Sequence, residues 1–234
     1  MSIGSPFTPS RPVQPSSNPF PSWHPTVDVR GPLTPALGLS IAAQATPHAE
    51  GTGGLYLAEG GDSKKVLLVT ARHVLFPKDG PNVDYACTKV SAPRRNVLLL
   101  VTKAFDNLLE SIKIRAERHG SMVEVYEHEI GMFRARMAGE NKDDVKEATR
   151  ELEEAQSLLD KAREAIKALE QFYSKVKKEW SKPSQRVLGH IARSPPITFS
   201  AGIEGFTEDY AVDGLDSPKI KAAFNGNVID LGAF

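Results

Sequence analysis

The sequence is almost devoid of cysteine, with Cys87 as the single thiol among 234 residues. One thiol cannot close an intramolecular disulfide, and it cannot supply a zinc site that needs several thiolates. Free cysteine commonly packs as a small apolar side chain, and we expect Cys87 to do so. A lone thiol also fits a reducing, intracellular compartment.

Excess charge and long hydrophobic runs are missing as well. The 29 Lys and Arg residues balance 29 Asp and Glu, so the chain gives no reason to expect a nucleic acid or an anionic membrane as partner. No stretch is apolar for the roughly 18 residues that a membrane-spanning helix needs. The first residues lack the basic start and apolar run of a signal peptide. We therefore expect no transmembrane helix and a cytoplasmic location.

The sequence also lacks recognisable metal and cofactor motifs. The histidines stand at 24, 48, 73, 119, 128 and 190, and none is paired at i, i+4 with a third ligand nearby. The glycine-rich "GTGG" at 51–54 is not followed by the Lys-Ser/Thr of a phosphate-binding loop. We expect neither a metal nor a cofactor.

The chain divides into three kinds of segment by composition and hydrophobic pattern. Residues 1–34 are rich in proline and serine, which predicts a disordered tail because such a segment buries little apolar surface. Residues 35–102 and 183–234 contain short apolar runs separated by Gly, Asp and Ser, the pattern of an antiparallel β unit. Residues 103–182 form an insertion of a different kind.

The insertion carries two heptad seams. Apolar residues recur at spacings of 4 and 3 from Phe105 to Met137, and again from Val145 to Trp180. Two such seams joined by a short polar link predict an antiparallel coiled-coil hairpin, with each arm roughly 50 Å long. His119 falls on the first seam, where we interpret it as a tolerated polar core position. Gly120 and Gly131 predict a close or weakened seam.

Two short motifs suggest a family. Val69-Thr70-Ala71-Arg72-His73 closes a predicted strand, and Asp209-Tyr210-Ala211-Val212 opens a later one. With the preceding glycine-rich strand, these motifs resemble the first half of a trypsin-like (chymotrypsin-fold) serine protease. Arg72 stands where that family usually has a small residue, and Asp213 interrupts the usual apolar run. The resemblance covers about 36–102 and 185–234.

The resemblance implies a fold and two roles. The expected fold is α+β: a partial antiparallel β-barrel, the trypsin-like first barrel, interrupted by the helical hairpin. His73 would be the general base and Asp209 the carboxylate that orients it. The alternative for His73 is a polar residue at a strand end, and for Asp209 a turn carboxylate.

No nucleophile matching the family is found. Ser217 follows Asp209 but has no flanking glycines to supply oxyanion-hole amides, and Ser200 precedes Asp209. Without the serine, a His–Asp pair cannot form an acyl-enzyme.

Three functional hypotheses follow. The chain is a truncated or degenerate protease homologue that is inactive alone, an interaction module working through the hairpin, or the N-terminal part of a longer active endopeptidase. A protein partner would bind the hairpin or the exposed barrel face.

Overall fold

The computed structural model describes residues 14–15, 24–88 and 93–230. The described residues within 30–106 and 179–230 form one compact unit, the sheet unit. Residues 24–29 and 107–178 form a second, the hairpin unit.

The described residues contain five α-helices and twelve short strands. The helices are α1 Val27–Arg30, α2 Arg72–Leu75, α3 Thr102–Met137, α4 Lys142–Trp180 and α5 Pro218–Ala223. The strands are β1 Gln14–Pro15, β2 Leu39–Ala43, β3 Glu50–Gly53, β4 Leu55–Ala58, β5 Val66–Thr70, β6 Tyr85–Ala86, β7 Asn96–Leu99, β8 Val187–Ser194, β9 Thr198–Ala201, β10 Phe206–Glu208, β11 Ala211–Leu215 and β12 Val228–Ile229.

The main sheet is antiparallel and curled. Its strand order is β3-β2-β7-β8-β11-β5-β4, with β6 paired to β8. The two end strands of this path are separated along the chain by Gly54 alone, whose N–H donates to the Val69 carbonyl at 2.7 Å. One continuous stretch of chain thus joins the two end strands of the path, which bends the sheet into a curled, partial barrel. The predicted α+β class and barrel-like sheet are confirmed at this level.

Alternation along the strands builds the core of the sheet unit. In β11, Ala211, Asp213 and Leu215 point inward and are buried, while the residues between them are half-buried. Ile41 of β2 and the β8 residues Leu188 and Ile191 are also fully buried. Because successive strand residues alternate between faces, this inward set defines the interior of the curled sheet.

A buried guanidinium ties together the chain segments that flank the insertion. Arg186 is 2% exposed, and its Nε donates to the Leu100 carbonyl at 2.9 Å. Its Nη1 donates to the carbonyls of Trp180 and Ser181 at 2.8 and 2.7 Å. One side chain thus reaches the backbone before α3 and after α4, so the insertion leaves and returns at the same place. This proximity keeps the entropic cost of a long insertion low.

The hairpin unit contains the predicted pair of long helices. Residues 102–137 and 142–180 are helical, close to the predicted arms, and the helices pack through a core of Ile130, Ala155 and Leu159. A Cβ added at Gly120 or Gly131 would meet no atom within 4 Å, so the expected close approach at these glycines does not occur. They cost helix stability without a packing role in the described residues.

Part of the predicted tail is structured. Within residues 24–34, α1 is followed by a 3-10 turn over Gly31–Leu33, and Val27 and Val29 are buried. These two valines supply buried apolar surface that the proline-rich composition does not indicate. Residues 1–13 and 16–23 lie outside the described residues.

Candidate functional site

Strand register brings the two predicted site residues together. In the β5–β11 pair, Thr70 lies opposite Ala211. His73 follows Thr70 by three residues and Asp209 precedes Ala211 by two, so both lie beyond the same end of the pair. Because the two strands are antiparallel, the residues after β5 and the residues before β11 lie side by side although they are far apart in the chain.

Both oxygens of Asp209 contact His73. His73 Nδ1 lies 2.5 Å from Asp209 Oδ2, and the His73 backbone N–H donates to Asp209 Oδ1 at 3.3 Å. A carboxylate can only accept a hydrogen bond. The carboxylate therefore holds the ring proton on Nδ1, which leaves the Nε2 lone pair available as a base. The His73 side chain is 53% exposed and that of Asp209 is 25% exposed, so the ring is open to solvent while the carboxylate is more enclosed.

A short helix and a glycine position His73. The chain turns from β5 into α2, where Val74 and Leu75 are buried and His73 faces outward. A Cβ at Gly51 would collide with the side chain of Val74, so the close approach of β3 to α2 requires glycine there. The glycine-rich "GTGG" is thereby explained by packing behind the histidine.

Arg72 anchors the same turn from inside. It is 3% exposed, and its Nη1 donates to the carbonyl and hydroxyl of Ser194 at 3.0 and 2.9 Å and to the Pro195 carbonyl at 3.1 Å. Its Nη2 donates to the carbonyls of Pro81 and Val83 at 3.4 and 2.9 Å. Burial, and next the nearby charge of Arg95, lower the pKa of Arg72. The guanidinium nevertheless has a hydrogen-bond acceptor on each terminal nitrogen, as a buried cation requires.

The Arg72 contacts continue to the other half of the pair. The Ser194 hydroxyl donates to the Tyr210 carbonyl at 3.1 Å, and Tyr210 is the residue after Asp209. Arg72 is likewise adjacent to His73, as the residue before it. A buried Arg–Ser chain therefore links the backbone beside the histidine to the backbone beside its carboxylate. From the sequence, Arg72 was notable only because the trypsin-like family usually has a small residue at this position of the motif.

The serines considered from the sequence do not join the pair. Ser217 follows β11 whereas Asp209 precedes it, so about 16 Å of extended strand separates them. Ser200 is exposed in β9 with a left-handed backbone (φ 53°). In the described part of the chain, no serine or cysteine side chain hydrogen-bonds to His73. His73 and Asp209 thus form a histidine–carboxylate pair with no serine or cysteine side chain hydrogen-bonded to it in the described residues.

A second histidine–carboxylate pair was not predicted. His190 Nδ1 lies 2.6 Å from Asp216 Oδ2, and the same oxygen lies 3.7 Å from Arg94 Nη1. Here the histidine is 19% exposed and the carboxylate 47%, the reverse of the first pair. A base needs an accessible ring and an enclosed carboxylate, so this arrangement fits a structural contact better.

Asp213 is the most unusual charged group of the sheet unit. It is fully buried, and neither carboxylate oxygen has a hydrogen-bond partner in the described residues. Burial first, and the negative charge of Asp216 second, raise the pKa of Asp213 well above its ordinary value. The buried Tyr56 hydroxyl also lacks a partner there, and burial together with Asp213 raises the pKa of Tyr56. Burial inside the sheet therefore favours the neutral, protonated form of Asp213 over the carboxylate.

Comparisons with known proteins add no family. The chain matches no protein-family model, no curated protein and no solved structure. Within the described residues, no helix has an apolar stretch long enough to cross a bilayer. No group of three His, Cys, Asp or Glu side chains is arranged there to hold a metal ion.

Proposed function

We propose that the sheet unit is a trypsin-like first barrel that retains the base half of a serine-protease site, and that the chain itself is a protease homologue without catalytic activity. The observation that carries the proposal is the two-point contact of Asp209 with His73, through the ring Nδ1 and through the backbone N–H. The ring contact orients the imidazole as a general base requires, and the backbone contact holds the carboxylate at the first turn of α2.

The proposed inactivity has a chemical reason. Acyl transfer requires a hydroxyl or thiol within hydrogen-bond reach of the free Nε2, together with donors for the oxyanion. The contacts of His73 in the described residues include no such hydroxyl or thiol. A base alone cannot form the covalent intermediate, so the proposed role is that of a protease-like scaffold.

Two measurements test the proposal. A fluorophosphonate probe should leave the 234-residue chain unlabelled, and labelling that disappears in His73→Ala would overturn the proposed inactivity. Nitrogen-15 NMR of the neutral ring should place its proton on Nδ1 in the wild type. Asp209→Asn should shift the proton toward Nε2, because the amide no longer requires a donor at Nδ1. Glu208→Gln, one residue away, is the matched control and should leave the ring unchanged.

A second candidate function is a protein-interaction module whose binding surface is the helical hairpin. The observation that favours it is a set of exposed apolar side chains along α3, including Ile114, Val125 and Met132. Deleting residues 103–181 should then abolish partner capture in a pull-down. A partner list unchanged by the deletion would count against this function.

A further inference from the structure

Helix α3 carries a second line of apolar side chains besides its seam with α4. Ile114, Met122, Val125 and Met132, which we name the second stripe, are between 38% and 49% exposed. Ile114 and Met132 are 18 residues apart, which is five full turns at about 3.6 residues per turn. All four side chains fall within an arc of roughly 80° at about 100° per residue.

The second stripe is distinct from the seam. The seam residues Val123, Tyr126 and Phe133 pack on the buried core formed with α4. On a helical projection at about 100° per residue, the centre of these seam residues lies roughly 110° from the centre of the second stripe, and Met122 is the stripe residue nearest the seam. In a two-helix hairpin each helix buries one apolar face against the other. A second apolar face on α3 is therefore not covered by α4.

Two opposite charges interrupt the second stripe. Arg118 and Glu129 occupy the gaps between its apolar members, and Arg118 is exposed. Neither side chain forms an ion pair within the described part of the chain, although Arg115 and Arg136 on the same helix do. The order along the stripe is therefore Ile, Arg, Met, Val, Glu, Met.

We propose that the second stripe binds the second stripe of another copy of this chain, with the two α3 helices antiparallel about a twofold axis near Val123 and Glu124. In this register Met122 faces Val125 of the other copy and Arg118 faces Glu129. Ile114 faces Met132 to within one residue. Each contact occurs twice, as an isologous interface requires.

The charges select this register and this orientation. In a parallel pair, Arg118 would face Arg118 and Glu129 would face Glu129, which is unfavourable at both positions. An antiparallel pair centred on Arg118 or on Glu129 would place that charge against its own copy. Glu124 is near the twofold axis along the helix, but it lies about 120° from the centre of the second stripe and therefore outside the interface. The interior contacts all pair apolar with apolar or positive with negative.

Self-complementarity is the reason that the occupant is a second copy. A different partner would not require the apolar and charged positions to mirror each other about one point in the sequence. The inference concerns the hairpin unit alone and does not rest on the chemistry of His73.

Sedimentation of the 234-residue chain tests the interface. We expect dimers at concentrations up to about 100 µM, and weakening of association by about tenfold or more in Met122→Lys or Val125→Lys. Val83→Lys, which changes an exposed apolar residue of the sheet unit, is the matched control and should leave association unchanged. Circular dichroism of each variant establishes that the helices remain folded. A monomeric wild type at this concentration would overturn the proposal, as would an association that ignores the second stripe.

Charge reversal and cross-linking test the orientation. Arg118→Glu alone should weaken association, and adding Glu129→Arg should restore it. In a Cys87→Ser background, Val125→Cys should cross-link to its own copy with a short bifunctional reagent, because the two sites are offset by about 4.5 Å along the helix. Arg118→Cys should not, because its copies are about 16 Å apart along the axis. Equal cross-linking at both positions would indicate a parallel pair and would contradict the proposed interface.

Discussion

The hairpin unit and the sheet unit differ in what they bury. The interior of the hairpin is made of Ile, Leu, Val, Ala and aromatic side chains, with no buried charge in its described part. The sheet unit buries three charged residues, Arg72, Arg186 and Asp213. Two of these satisfy distant backbone carbonyls, and the third has no partner in the described residues. The hairpin unit is therefore stabilised by a repeating local pattern of apolar residues. The sheet unit depends in addition on a few polar contacts between residues far apart in the chain.

The largest expected effect is the loss of a buried guanidinium in the sheet unit. Arg72→Ala leaves the carbonyls of Ser194, Pro195 and Val83 without their donor, and we expect a loss of about 3–5 kcal/mol in the free energy of unfolding. Arg193→Ala removes an exposed arginine from β8 and should change stability by no more than about 0.5 kcal/mol. Denaturant titration measures both. Equal losses would contradict the importance of the buried contacts.

A cavity in the hairpin is expected to cost slightly less. Leu169 is fully buried on the seam of α4, so Leu169→Ala should lower the stability of the hairpin by about 2–5 kcal/mol. Leu158 lies on the same helix and is 42% exposed, and Leu158→Ala is expected to cost less than about 1 kcal/mol. Thermal unfolding followed by the helical circular dichroism signal compares the two. If Leu158 matters as much as Leu169, the seam is wrongly placed.

Asp213 tests whether the sheet unit carries a buried group that reduces its stability. Burial raises the pKa of Asp213 in the folded state, so ionising this carboxyl costs folding free energy. The stability of the wild type is therefore fully present below the unfolded pKa of about 3.9 and is lost as the pH rises toward the folded pKa. Asp213→Asn mimics the neutral acid at every pH. The variant should match the wild type near pH 3.5 and be more stable at pH 7, as measured by urea unfolding at both values. A wild type that is more stable than the variant at pH 7 would show that the carboxylate has a partner.

The smallest effect is expected at the polar position of the hairpin seam. Burial first, and then the charges of Arg115 and Arg118, lower the pKa of His119, so the folded state resists protonation. The free energy of unfolding is therefore unaffected by His119 above its unfolded pKa of about 6.5, and it decreases as the pH falls below that pKa. His119→Leu should be more stable than the wild type, with a gain of roughly 1 kcal/mol that increases between pH 7 and pH 5. The exposed His128 provides the control His128→Leu, which should show no such pH dependence.

The prediction from sequence succeeded best where contacts are local. The seam from Phe105 to Met137 predicted α3 closely, because residues that share a helix face are at most four positions apart. The strand ending before His73 and the strand after Asp209 were also predicted, from apolar runs and turn residues. The resemblance placed these two residues in one site, and the structure brings their side chains into contact.

Other features of the sheet unit could not be predicted, because their causes lie far apart in the chain. Arg72 was visible only as an unexpected residue, since its acceptors are more than a hundred positions away at Ser194 and Pro195. The pair of His190 and Asp216 carried no motif. The second stripe on α3 was overlooked because the seam on the same helix accounted for most of its apolar residues.

The sequence by itself determined the periodic hairpin, the alternating strands and the residue types at the two ends of β5 and β11, because these depend on spacing along the chain. Only the tertiary structure decided that Thr70 pairs with Ala211, which brings Asp209 onto His73. It alone decided that Arg72 is satisfied and Asp213 is not, because hydrogen-bond satisfaction depends on which distant groups share the interior of the sheet.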